Sequence, residues 1–172
     1  MKNTITVKLL KVASKDLVNG VIRKGKIKEM PSIQTGWQFN FNKHIKLPNS
    51  QTYVLVTEEN PDIIEGCLVF QMQDKVVPYL AYVEVAPHNK TKSKRHSLVA
   101  GCLIAYACKL SFEQGKNFHQ GYLTFDVMEE NEEDQNKLMK LYRTKYNAIR
   151  VAETTMLIVP KEGKTLIELY LE

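Results

Sequence analysis

Cysteine is scarce here and poorly placed for chemistry: Cys67, Cys102 and Cys108 each lie inside an apolar run, and no two form a Cys-x-x-Cys pair. That excludes a thiolate metal knuckle and a disulfide framework, and the three read as buried thiols of a reducing compartment. Histidine is equally thin. His44, His88, His96 and His119 have no i, i+4 partner and no cysteine at ligand spacing, which argues against a metal site. No apolar run approaches the length of a bilayer span. The opening MKNTITVKLLKVASKD alternates like a strand broken by lysines instead of building a signal-peptide core. The expectation is a soluble, cytoplasmic protein without a membrane partner. Internal repeats, low-complexity tracts and interdomain linkers are also missing, so one domain over residues 1–172 is expected.

What remains is an ordinary globular composition. With 172 residues, 44% hydrophobic and 25% charged, the chain is long enough for one substantial core. A formal net charge of +5 and a pI near 9.0 favour anionic partners without implying nucleic acid. Ile5 to Val12 reads as a strand and Ser14 to Met30 as a polar, weakly amphipathic helix or helix pair. Pro31 to Ser50 has no clear period and reads as a ligand or substrate loop. Strands follow at Tyr53 to Thr57, Ile63 to Met72 and Val76 to Val85, an antiparallel meander. Pro78 delays the regular part of the last strand to Tyr79. There Tyr79, Ala81, Val83 and Val85 fall on one face, Leu80 and Tyr82 on the other, as in a central strand covered on both sides.

Ser97 to Gln114 carries helical spacing, and Tyr122 to Val127 is a strand. Strand, helix, strand implies a right-handed crossover and a parallel pair. A Glu-rich start leads into a helix reaching about Thr144; Tyr146 to Val151 and Thr154 to Val159 read as closing strands, and Thr165 to Leu171 as a last turn of helix or strand.

The stretch VEVAPHNKTKSKRHSLVAGCLIAYA (83–107) concentrates the chemistry. If Ser97 caps the helix, the amides of Val99, Ala100 and Gly101 lack intrahelical acceptors, and small side chains at Ala100 and Gly101 let an anion approach them. Arg95, with Lys90, Lys92 and Lys94, supplies cations for phosphate oxygens. The bland alternative is a solvated basic loop.

These residues resemble the GNAT superfamily of acetyl-CoA-dependent N-acetyltransferases, whose pattern is a strand ending in Val-x-Pro, then Arg/Gln-x-x-Gly-x-Gly/Ala, then a helix with Leu-Leu. Val85-Ala86-Pro87, Arg95-His96-Ser97-Leu98-Val99-Ala100 and Leu103-Ile104 occupy those places. Glu84 to Asn89 is similar to a Glu-x-Ala-Pro-x-Asn strand end of bacterial members. The Gly after Ile64-Glu65 fits the preceding family strand, and Leu141 to Ala148 resembles a late Tyr-x-x-x-Leu-Gly segment. The resemblance covers roughly Ile63 to Val159. It departs from the pattern at Leu98, which replaces the first loop glycine, at the seven residues His88 to Lys94 where two or three are usual, and at Asn147 where glycine is common.

The resemblance implies an α/β fold, a mixed, mostly antiparallel sheet with one splayed parallel pair and helices on both faces. It implies direct transfer of an acetyl group from acetyl-CoA to an amine, with no metal. By the same resemblance Val83 and Val85 would receive the pantetheine arm. Arg95, His96, Ser97, Leu98, Val99, Ala100 and Gly101 would hold the diphosphate. Tyr142 would protonate the leaving thiolate. Glu84, a carboxylate in an apolar strand, is either the base or a structural anchor; His88 and Asp126 are alternative bases. Trp37, Phe39 and Phe41 either line the acceptor pocket or pack in the core. Two other classes stay open: a non-catalytic acyl-CoA-binding or protein-interaction module, and a basic nucleic-acid-associated protein, the latter poorly supported because the run lacks interleaved aromatics. The acceptor and the oligomeric state, a homodimer included, are not legible.

Overall fold

The structure, a computed structural model, describes residues 4–172. Strands β1 (Ile5–Lys11) and β2 (Asp16–Lys24) form a hairpin whose turn places Lys15 at φ 59°. The helix expected over Ser14 to Met30 is therefore replaced by a strand and a single 3-10 turn at Ile27–Glu29. Period 2 wins because Val18, Gly20 and Ile22 stand opposite Leu9, Val7 and Ile5 and share their inward face. Gly20 sits where a Cβ would come within 3.1 to 3.2 Å of Leu55 and Leu9, so the polar look of this stretch comes from its other face, where Asn19 and Arg23 flank Val21.

After another 3-10 turn at Ile33–Thr35 and the one-turn α1 (Phe41–His44) come β3 (Ser50–Thr57), β4 (Ile64–Gln73) and β5 (Val77–Val85), the expected meander. The near-continuous apolar runs of β3 and β4 have a simple cause: their alternate residues feed two cores. Tyr53, Leu55, Leu68 and Phe70 join one, under the helices. Val54, Val56, Cys67 and Val69 join the other with Met30, Trp37 and Phe41, covered by the 25–49 segment rather than by long helices. Both faces of these strands are thus dry.

Two bulges set the site. Between β3 and β4 the register slips so that Glu65 is the extra residue. Between β4 and β5 the pairs run Val69 with Tyr82 and Phe70 with Leu80, leaving Ala81 extra. The alternation expected along β5 is accordingly broken: Leu80, Val83 and Val85 face the helices, while Ala81, Tyr82 and Glu84 face the other side. A bulge inserts one residue and flips every later side chain, which no periodicity count detects.

Helix α2 (Val99–Gln114), preceded by the short β6 (His96–Ser97), crosses back to β7 (Leu123–Asp126). β7 runs parallel to β5 as expected, but only Tyr79 and Thr124 pair. α2 lies close on β4 because Gly66 has no side chain; a Cβ there would stand 2.7 Å from both Leu103 and Val99. Helix α3 (Glu132–Tyr146) opens on Asn131, whose side chain accepts the Asp134 amide at 2.8 Å, and closes on left-handed Asn147. Tyr146 is its last residue, not the first of a strand; the strand β8 is only Ile149–Arg150. β9 (Thr155–Ile158) and α4 (Pro160–Leu171) finish the chain. The last helix begins five residues before Thr165, with Pro160 in the first turn where its missing N–H costs nothing. The single sheet has the order β6-β1-β2-β3-β4-β5-β7-β9-β8.

Candidate active site

The single parallel pair makes the cleft. β5 and β7 meet at Tyr79 and Thr124 and then separate at the Ala81 bulge, so backbone groups of Val83 to Val85 that point away from β4 have no partner strand. The gap holds about 420 Å³, bordered by β5, the end of β7, α2 and α3. Val83, Glu84, Val85, Ala100 and Tyr142 all line it, bringing together residues that lie up to a third of the chain apart.

Tyr142 packs edge-on against Phe125, ring centroids 5.1 Å apart, and leans on Tyr146 at 6.1 Å. Among the described residues nothing hydrogen-bonds its hydroxyl, and the residue lines the cleft. Burial, and then the nearby charge of Glu129, push its pKa above the ordinary tyrosine value, so it is a phenol with a proton to give. Tyr146, one turn on, also lines the cleft; the strand reading of its segment concealed this.

Glu84 borders the same space, but its oxygens are taken. Oε2 accepts the Gln38 amide at 2.8 Å and Oε1 the Phe39 amide at 3.0 Å, and Lys90 pairs with Oε2. Asp126 is likewise occupied, accepting from Tyr79 at 2.6 Å, Thr155 at 2.7 Å and Thr154 at 2.9 Å. His88 is held by Glu65. Glu129, which the sequence pattern did not single out, lines the cleft with no protein partner among the described residues. Its only signal in the sequence was its place three residues after a parallel strand.

Of the three aromatics, Phe39 alone reaches the cleft. Trp37 and Phe41 are core residues, 5.9 Å apart and edge-on. Tyr82 replaces them in the wall, stacked on His44 at 3.8 Å and tilted against Phe39 at 5.2 Å.

The α2 entrance differs in detail from expectation. Ser97 is not the cap; it stands opposite Leu10 in the β1–β6 ladder, and the cap is Leu98 at φ 74°, ψ 0°. Leu98 thus adopts the left-handed conformation for which glycine is suited, with its side chain 42% exposed. The same three amides, Val99, Ala100 and Gly101, remain without helical acceptors, and among the described residues no side chain caps them. The smallness of Gly101 serves a different neighbour, because a Cβ there would fall 2.2 Å from the ring of Tyr170. Val99 is buried over Gly66, leaving Ala100 as the residue of this turn that faces the cleft. The long insert does not displace the entrance. Arg95 N–H donates to the His88 carbonyl at 3.1 Å, and the Arg95 carbonyl accepts from Val12 at 2.9 Å, pinching residues 90–94 into a solvated excursion. Arg95, Lys92 and Lys94 are exposed on it.

No protein-family model matches the chain, and no curated protein matches it in sequence. Solved structures do. The spermidine N-acetyltransferase from Vibrio cholerae in complex with CoA and spermine is 13% identical, with a TM-score of 0.53 over 84% of this chain and 98% of that one. A point mutant of KacT is 14% identical, with a TM-score of 0.54 over 86% of this chain and 98% of that one. The complex of KacTA with DNA gives 12% and 0.51 over 74% of this chain and 78% of that one. The chain therefore has the GNAT acetyltransferase fold, with its mixed sheet and one parallel pair.

Proposed function

We propose that the protein is an acetyl-CoA-dependent N-acetyltransferase that carries the acetyl group directly to a primary amine. The observation that supports this best is the open gap between β5 and β7, lined by Tyr142 whose hydroxyl has no hydrogen-bond partner among the described residues. A closed sheet or a hydrogen-bonded phenol would have argued for packing alone. The free amides of Val99, Ala100 and Gly101, with Arg95 nearby, suit a diphosphate. The unpaired strand edge at Val83 to Val85 suits an extended amide-bearing arm, which would complete the sheet where β7 has left it.

In this reading the amine nitrogen attacks the thioester carbonyl carbon, a β5 amide donates to the developing oxyanion, and the carbon–sulfur bond breaks. Tyr142 gives its proton to the departing sulfur and regains one from solvent. Glu129 takes the proton the amine sheds, since Glu84 and Asp126 are saturated. Glu84 anchors the Gln38–Phe39 segment, which forms the acceptor wall with Tyr82.

Calorimetry with acetyl-CoA and CoA, followed by thiol release across a panel of amines, tests this. Binding with turnover of at least one amine is expected; no binding of either ligand at millimolar concentration refutes it. A second reading, a non-catalytic acyl-CoA-binding module, draws support from the occupied Glu84 and Asp126 carboxylates, and binding without turnover would favour it.

A further inference from the structure

Behind the α2 entrance, outside the cleft, lies a buried polar cluster that none of these chemical steps employs. Its centre is Glu65, the extra residue of the β4 bulge, whose side chain is 3% exposed. Three donors converge on its Oε1: His96 Nδ1 at 2.7 Å, His88 Nε2 at 3.0 Å and Asn89 Nδ2 at 3.0 Å. An ionised carboxylate only accepts, so both imidazoles carry a hydrogen on the nitrogen that faces it. The Glu65 main-chain carbonyl accepts two more, from the Ala86 amide at 2.9 Å and Asn89 Nδ2 at 3.1 Å. Asn89 Oδ1 then accepts the His96 amide at 2.9 Å. A single residue thereby grips both limbs of the insert, the outgoing one at 86–89 and the returning one at His96.

Core packing does not explain this. A buried carboxylate is costly to desolvate even with the three bonds on Oε1, and apolar residues replacing Glu65 together with its His and Asn partners would stabilise the sheet as well or better. What the cluster achieves is location. It fixes the residue immediately before Ser97 and Leu98, and Leu98 holds a left-handed conformation that a leucine leaves readily unless its flanks are held. We infer that Glu65 is the positioning residue for the diphosphate end of the cosubstrate, an inference that rests on acetyl-CoA being that cosubstrate. It keeps the amides of Val99, Ala100 and Gly101 presented in one direction before the ligand arrives. Without it the polar insert samples many shapes, and apparent affinity falls by the fraction of time the entrance is competent: about tenfold if that fraction drops to about a tenth.

The test compares the full-length protein with Glu65→Gln and with His88→Ala, which removes one donor from a half-buried position and leaves the core filled. Three quantities are read: CoA affinity by calorimetry, turnover of acetyl-CoA against S-acetylpantetheine, which lacks the diphosphate, and the rate of tryptic cleavage between Lys90 and Arg95 in the folded state. For Glu65→Gln, about tenfold weaker CoA binding, faster loop cleavage and a raised KM for acetyl-CoA are expected, with kcat/KM for S-acetylpantetheine at the wild-type value. His88→Ala should move the same quantities in the same direction by less. Wild-type CoA affinity in a folded Glu65→Gln overturns the inference, as does an equal loss with S-acetylpantetheine, which would mean general damage. Should Glu65→Gln not fold, wild-type affinity and cleavage in His88→Ala overturn it. If the unaltered protein binds no CoA, the acetyltransferase reading fails and this inference with it; binding by the unaltered protein with no change in the variants sinks the positioning role alone.

Discussion

Replacing Tyr142 by phenylalanine deletes one oxygen and little else, which makes it a clean probe of proton delivery. The ring stays wedged against Phe125 and Tyr146, and no protein group loses a hydrogen bond. Stability should change by less than about 0.5 kcal/mol, as for a substitution that creates neither cavity nor orphaned partner. CoA affinity should be unchanged for the same reason. Turnover is different. A positioned general acid contributes roughly 10²- to 10⁴-fold, so kcat should fall at least about a hundredfold, equivalent to about 2.7 kcal/mol of transition-state stabilisation. The phenol's pKa lies above its ordinary value of 10.0, chiefly through burial and then through Glu129. Tyr142 therefore remains protonated throughout the neutral and mildly alkaline range, and any loss of rate below pH 10 must come from another group. Thiol release measured under acetyl-CoA saturation, with melting curves and calorimetry on the same preparations, reads all three quantities. Wild-type kcat in the variant would remove Tyr142 from the chemistry; a loss confined to CoA affinity or to stability would reassign it to packing.

Three further outcomes follow from the same geometry. Glu84→Ala orphans the Gln38 and Phe39 amides and Lys90, and should lower unfolding stability by about 3 kcal/mol in a denaturant titration; a change below about 1 kcal/mol would show that the anchor is dispensable. Gly101→Ala puts a methyl into the Tyr170 ring and should cost roughly 1–2 kcal/mol. In a Tyr170→Ala background that cost should vanish, and additivity of the two changes would refute the contact. Burial pushes the Glu65 carboxyl up, but hydrogen bonds from Asn89 and His88 and the charge of the two imidazoles outweigh it, leaving the pKa below the ordinary 4.5. A depressed acid contributes stability that is whole above the unfolded-state value and disappears as pH drops through the folded-state value. The stability gap between wild type and Glu65→Gln should therefore hold from pH 7 down to the ordinary 4.5 and shrink progressively as the pH falls further; a gap that stays constant into strong acid contradicts this.

Local regularity decided what could be read along the chain. α2, with its apolar residues at helical spacing, and the runs of β3 and β4 were legible because the interactions that select them lie within a few residues of one another. The strand-helix-strand order was enough to imply a parallel pair. Pro160, a residue suited to a first helical turn, marks the start of α4. β2 was misread because its outer face mixes Asn19 and Arg23 with Val21 and its inward set includes Gly20, whose fit depends on Leu9 and Leu55 from other strands.

The candidate site divides in the same way. The chemical types were present in the string: a tyrosine late in the chain, carboxylates near strand ends, lysines before a helix. Their assignments were not, because each depends on a partner distant in sequence. Glu84 is an anchor because Gln38 and Phe39 fold across it, Gly101 is small because Tyr170 comes to rest on it, and Glu129 is unpaired among the described residues because none of their side chains reaches it. The cleft itself arises from one inserted residue, Ala81, and one strand pair that parts after a single bridge. By itself the amino-acid order determined α2 and the meander strands; tertiary packing decided that residues 16–24 pair as a strand and which side chains face one another, since bulge, splay and burial are properties of neighbours that the chain brings together from afar.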